Sequence, residues 1–208
     1  MEDLSEEAIK KDCPHCSLAS QAYLYSLGET SSFRIVCDAH PLKEGHILVI
    51  PKAHLSCIGE YEPGLLQEFK ELYDKVSTFV QVQYGSVATF EHGVFGQTVF
   101  HSHIHFLPFT GSPDDIVPEG AEKRTPLADL SELQELYKGQ GGYLFFSIGK
   151  DMWTVDTDLA EPRFFRDRFA SAIGHPERGS WKEMHQNAET MEIVEKENLS
   201  VQENWITA

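Results

Sequence analysis

The sequence predicts an α+β fold: a sheet of about five strands, one long helix, and a C-terminal extension of different texture. Three observations carry this. Five short segments before residue 109 are rich in β-branched and aromatic residues. Between the third and fourth of them, Pro63 to Tyr84 repeats its apolar residues at helical spacing. After Phe109 the chain turns polar and Pro/Gly-rich before patterned segments resume.

Taken in order, residues 4–11 read as a short helix, and Cys13-Pro14-His15-Cys16 follows. YLYSL (23–27) and FRIVCD (33–38) read as strands around a turn at Gly28-Glu29-Thr30-Ser31. HILVIP (46–51) is a third strand that ends at a proline. In the long helix, Leu65, Leu66, Phe69, Leu72, Tyr73, Val76, Phe79 and Val80 form one apolar face, and Gly85 is the stop signal. SVATFEH (86–92) and residues 100–107 are the fourth and fifth strands. Residues 110–126 read as a connection, 127–137 as a helix, 141–149 as a strand, and Glu161 to Ile173 as a helix with Pro162 in its first turn and Gly174 at its end. This divides the chain into a domain over 1–109 and an extension over 110–208 packed on it, with an irregular tail from about residue 184. The tryptophans Trp153, Trp181 and Trp205 read as packing residues.

Composition narrows the function. The chain has 208 residues, 41% hydrophobic and 24% charged, with 17 basic and 33 acidic residues for a net charge of −16. Binding to a phosphate backbone needs a basic surface, so an electrostatic nucleic-acid binder is disfavoured. A small anionic substrate is compatible, because a local site can oppose the global field. The N-terminus lacks the apolar core of a signal peptide and no apolar run is long enough to span a membrane. The expectation is a cytoplasmic protein, where four cysteines are thiols or metal ligands rather than disulfides. Cys37 and Cys57 read as ordinary buried residues.

Two clusters carry chemistry. In HSHIHFLPF (101–109), a β-strand would put His101, His103 and His105 on one side, each about 6.8 Å from the next. Imidazoles in such a row are acids, bases, nucleophiles or metal ligands near neutral pH. Cys13-Pro14-His15-Cys16 is ambiguous by itself. A redox-active cysteine pair sits at a helix N-terminus after a buried strand, whereas here a charged segment precedes it. A structural zinc site needs four Cys/His ligands.

The run Gly96-Gln97-Thr98-Val99-Phe100-His101-Ser102-His103-Ile104-His105-Phe106-Leu107-Pro108 resembles the signature of the histidine triad (HIT) superfamily, in particular its fragile-histidine-triad and Hint-type branches. SFRIVCDAHPLKEGHILVIPKAH (32–54) is similar to that family's other core segment. Ser102 departs from the signature, which has an apolar residue there. The resemblance covers about residues 13–109. It implies a HIT-like antiparallel sheet, usually homodimeric, and hydrolysis of a nucleoside phosphate conjugate, with adenine as the expected base, through a nucleotidyl-histidine intermediate. His103 would be the nucleophile, with His46 beside it. His105, Gln97 and Thr98 would hold phosphoryl oxygens and Asp38 the ribose hydroxyls. By the same resemblance Cys13, Cys16, His54 and His101 would bind a structural zinc. Neither a nucleic acid nor a membrane is an expected partner. The rival readings are a non-catalytic nucleotide-binding scaffold, a thiol oxidoreductase using Cys13 and Cys16, and a phosphorylase in which phosphate replaces water. In RFFRDRF (163–169), Arg163, Arg166 and Phe169 fall near one helical face, which could meet a polyphosphate or an acidic partner, or be a solvated helix edge with its aromatic residues docked on the core.

Overall fold

The computed structural model describes Lys10 and residues 12–206. The short helix expected over 4–11 lies outside the described residues, apart from Lys10. The elements, in chain order, are β1 (Ser26–Glu29), β2 (Phe33–Cys37), β3 (Ile47–Pro51), α1 (Pro63–Tyr84), β4 (Ala88–Glu91), β5 (Ile104–Leu107), α2 (Pro113–Ile116), β6 (Arg124–Leu127), α3 (Glu132–Gln140), β7 (Leu144–Ile148), β8 (Asp151–Val155), α4 (Phe164–Ala172), α5 (Trp181–Gln186) and α6 (Ala188–Ile206).

Eight strands form one sheet in the order β1-β2-β3-β5-β4-β7-β8-β6, and every neighbouring pair is antiparallel. The α+β antiparallel expectation stands, with three more strands than the five expected. The five strands expected before residue 109 correspond to β1 to β5, with β1 shifted to Ser26–Glu29 so that Gly28 and Glu29 lie in the strand rather than in the expected turn. The other three come from the extension: β7 answers the strand expected over 141–149 and pairs along the free edge of β4, whereas β6 and β8 were not expected. β6 was invisible because it lies in the polar connection and carries Pro126. A proline is tolerated there because β6 is the terminal strand and has a free edge.

Side-chain alternation gives the sheet two distinct faces. On one, Phe33, Ile35, Val49, Ile104 and Phe106 pack against the Leu66, Phe69, Tyr73, Val76 and Val80 side of α1. Pro63 at the first turn and Gly85, with φ 83°, at the left-handed stop bound that helix as expected. On the other face, Leu42, Ala88, Phe90 and Leu107 pack against Phe164, Phe165 and Phe169 of α4. Each cluster buries roughly a dozen or more apolar side chains, and burying one fully is worth about 1.5–3 kcal/mol. The extension is therefore core-forming: α4 covers the β4–β5 part of one face, and Leu133, Tyr143, Phe145 and Val201 enter the core on the other.

The tail expected from about residue 184 is ordered. α6 runs for 19 residues and buries Val194, Asn198 and Val201 against the β1–β2 side of the sheet. Two valines seven residues apart, with a buried asparagine between them, leave a weak apolar period, so the sequence shows little of it.

Candidate functional site

The site lies on the α4 face, where β3, β5 and β4 align Leu48, His105 and Phe90 in register. The histidine run departs from the expected strand. β5 begins only at Ile104, because the Ser102 amide donates to the Leu55 carbonyl and its hydroxyl to buried Glu91. The row of three histidines is broken as a result. His101 turns toward the cysteines, while His103 and His105 stay together with ring centroids 5.0 Å apart.

Hydrogen bonds set the protons on these rings. His103 Nδ1 lies 2.6 Å from the His101 carbonyl. A carbonyl only accepts, so Nδ1 carries the proton and Nε2 presents a lone pair. His46 Nδ1 accepts the Leu42 amide at 3.0 Å, which leaves the proton on Nε2. That Nε2 is 2.9 Å from His105 Nδ1 and donates to it. His105 must then carry its own proton on Nε2, a buried atom with no partner. The chain from Leu42 through His46 to His105 thus ends in a donor aimed at nothing in the protein. Phe90 stacks on the His105 ring at 4.1 Å and fixes its plane.

Burial keeps these imidazoles neutral. It pushes His46 down to about 4 and His105 well below its ordinary value, and it lowers His103 as well. Asp38 goes the other way in charge. Burial opposes its ionisation, but the Arg166 guanidinium overcomes this and holds the carboxyl at about 2. Arg166 Nη1 donates to Asp38 Oδ2 at 2.7 Å, and the His40 amide donates to Oδ1 at 2.9 Å. Asp38 Oδ2 is also 3.6 Å from His46 Nε2 and 3.8 Å from His105 Nδ1.

A cavity of about 270 Å³ opens here, lined by His15, Asp38, Thr98, His103, His105 and Arg166, among others. Thr98 is exposed at its wall. Gln97 is buried and faces away, its amide donating to the Ser56 carbonyl at 2.6 Å. Gly96, with φ 78°, lies so close to the Glu161 carbonyl that a Cβ would collide with it, so this loop is seated against the extension.

Cys13, Cys16, His54 and His101 form the second cluster, with their ligand atoms all within 4.8 Å of one another. Cys13 Sγ is 3.4 Å from His101 Nδ1, and Cys16 Sγ is 3.4 Å from His54 Nδ1. A tetrahedral zinc with ordinary bond lengths separates S and N ligands by about 3.5 Å. His101 Nε2 is held by the Pro51 carbonyl at 2.9 Å, which leaves Nδ1 free as a ligand. The residues present fit a metal ion. Cys37 and Cys57 are fully buried, and burial pushes both thiols up to about 12, as suits inert core residues.

Sequence reasoning missed several members. Arg166 was placed on a shared cationic face with Arg163, but Arg166 is buried on Asp38 while Arg163 pairs with Asp167 at the helix start. No local signal could show that, since the Asp38–Arg166 contact spans 128 residues. His15 read only as a spacer in Cys-x-x-Cys, yet its ring lies 5.0 Å from His103. Phe90 and buried His92, whose Nε2 accepts the Phe165 amide, carried no signal beyond strand pattern.

Residues 20–111 match the HIT domain family model. Adenylylsulfatase HINT3 of Arabidopsis thaliana is 26% identical over half of this chain, a match spanning 56% of its own length. An uncharacterized HIT-like protein of Mycoplasma genitalium is 28% identical over half of this chain and 77% of its own. Among solved structures, a hypothetical histidine triad nucleotide-binding protein from Sulfolobus tokodaii is 25% identical, with a TM-score of 0.40, over 48% of this chain and 71% of that one.

Proposed function

Residues 20–111 of this chain form a HIT domain, and on that premise we propose that the protein cleaves a nucleoside phosphate conjugate, adenine-containing, at its α-phosphate. His103 Nε2 attacks phosphorus. The nitrogen–phosphorus bond forms as the bond to the leaving group breaks, and the departing group takes the electron pair. Water then attacks the nucleotidyl-histidine, releases the nucleoside monophosphate, and returns the electron pair to Nε2. One hard displacement becomes two easier ones. The observation that carries this reading is the set of fixed tautomers: the His101 carbonyl leaves His103 Nε2 free to attack, and the Leu42–His46–His105 chain ends in a donor suited to a phosphoryl oxygen.

Asp38 is the proposed acceptor for ribose hydroxyls. Each of its oxygens keeps a second lone pair beside the His40 and Arg166 bonds. Thr98 supplies a hydroxyl at the cavity wall, and Gln97 holds the Thr98 loop through the Ser56 carbonyl. Cys13, Cys16, His54 and His101 would hold a structural zinc, which would tie the N-terminal turn to the segment just before β5 that bears His103. The HINT3 relative is named for action on adenylyl sulfate, so adenosine phosphosulfate belongs in the substrate panel with adenosine phosphoramidate and dinucleoside polyphosphates.

The test is a rapid-quench single turnover on that panel, with mass analysis of the protein. A nucleotidyl adduct on His103 is the expected result, and His103→Ala should lower kcat by about 10⁴-fold or more. Near-normal kcat in that variant, or no adduct and no turnover on any member of the panel, overturns the assignment.

A further inference from the structure

We propose that His15 is a substrate-binding residue, delivered by the Cys13–Cys16 turn to hydrogen-bond a non-bridging oxygen of the phosphoryl group that His103 attacks. The proposal rests on the reading of the site as a nucleotidyl-transfer centre and adds a contact to it.

Four observations converge on this ring. It is 6% exposed although it sits on a surface turn between two cysteines. Its centroid is 5.0 Å from that of His103 and 5.6 Å from that of His101. Its Nδ1 is buried with no hydrogen-bond partner. It lines the same cavity as Asp38, His103, His105 and Arg166. A buried polar nitrogen without a partner needs an explanation, and a ligand in that cavity supplies one.

Two imidazoles lie beside the ring of the nucleophile. His105 flanks the His103 ring at 5.0 Å, and His15 flanks it at the same distance. An α-phosphoryl group has two non-bridging oxygens. A phosphorus joined to His103 Nε2 carries them about 2.5 Å from that nitrogen, within reach of donors placed beside the ring. His105 Nε2 is an unpartnered donor for one; His15 is placed for the other.

The turn holds the ring in position. The Cys16 and Ser17 amides donate to the Cys13 carbonyl, and the Tyr23 hydroxyl donates to the His15 carbonyl. With Cys13 and Cys16 beside His54 and His101, a metal bound there would lock the turn that carries His15, so the metal site and the phosphoryl site share one structural element.

The experiment compares adenosine monophosphate with adenosine by titration calorimetry, in the unaltered chain, His15→Phe and His15→Gln. Phe keeps ring packing and removes the nitrogens; Gln removes the ring and keeps a donor. The expected result is that His15→Phe weakens the monophosphate about ten- to hundredfold, leaves adenosine unchanged, and lowers kcat/KM in parallel, while His15→Gln recovers most of the loss. Metal content by elemental analysis should equal that of the unaltered chain in both variants. Equal weakening of both ligands, or no weakening, makes His15 a packing residue and overturns the contact. Loss of metal together with phosphate affinity places the effect in the turn and also overturns it. Failure of the unaltered chain to prefer the monophosphate over adenosine overturns the proposed function itself, and the contact with it.

Discussion

Arg166 directs its whole guanidinium inward, to the Asp38 carboxylate and to the carbonyls of His40, Arg178 and Gly179. Both partners of the ion pair are 7% exposed. A buried pair is poor evidence of net stabilisation, but removing one member leaves the other charge buried and uncompensated. Arg166→Met should therefore cost about 3–5 kcal/mol in urea unfolding at neutral pH, and an unchanged midpoint would show that Asp38 finds water or another partner. Glu91 makes the second residue-scale case. It is buried on Tyr143, Ser102 and the Ile58 amide, and burial raises its carboxyl from 4.5 to about 7. The folded chain thus holds a proton that the unfolded chain releases. Its contribution is fully present below about pH 4.5 and declines until about pH 7. Glu91→Gln should flatten the fall in stability across that window, as read from unfolding curves at several pH values; an unaltered pH slope would sink the assignment. At this scale the sequence was legible where chemistry is local: Asp38, His46, His103 and His105 do meet. It was silent where a partner comes from far along the chain, as with Arg166 and with Tyr143 on Glu91.

Among the elements, the Cys13–Cys16 turn is the one a bound metal would tie most directly to the rest of the fold. Its backbone is held by the Cys16 and Ser17 amides on the Cys13 carbonyl, the Cys13 amide on the Lys10 carbonyl and the Tyr23 hydroxyl on the His15 carbonyl, and cysteine–histidine contacts of 3.4–3.5 Å join it to His54 and His101. Ligands of a structural ion contribute folding free energy. Removing the metal with a chelator, or making Cys16→Ser, should lower Tm by several degrees and increase protease cleavage within residues 10–23. A chain with no near-stoichiometric zinc when purified without chelator, and no response of Tm to chelator, would remove metal from the account. The elements themselves were unevenly readable. α1 was legible throughout because its apolar face, Pro63 and Gly85 agree. The histidine strand, expected over 100–107, starts four residues later at Ile104, since period-two alternation cannot show that Ser102 is drawn out of the ladder by Leu55 and Glu91. β8 and α6 were missed for want of a strong period.

For the molecule as a whole, the decisive contacts join its two halves. Phe90 of β4 stacks on Phe169 at 5.2 Å and lies 5.5 Å from Phe165, and it also stacks on the catalytic candidate His105 at 4.1 Å. β7 occupies the outer edge of β4 along four residue pairs. The order of strands in a sheet is non-local, so the sequence could place a strand at 141–149 but not its neighbour. This also bears on the expected homodimer: a second copy would have to use a surface other than the β4 edge, because β7 already fills it. A chain ending at Phe109 would expose Ala88, Phe90 and Leu107, leave Asp38 without its counter-charge, and present an unpaired strand edge, which is a template for association. It should therefore be recovered as aggregate or as a β4-paired oligomer in sedimentation, without turnover. Restoring residues 110–208 in the same chain should return a soluble species with a single melting transition. A truncated chain that stays monomeric and melts cooperatively near the full-length Tm would show that the first half closes its core alone, and that the extension acts on the site from outside.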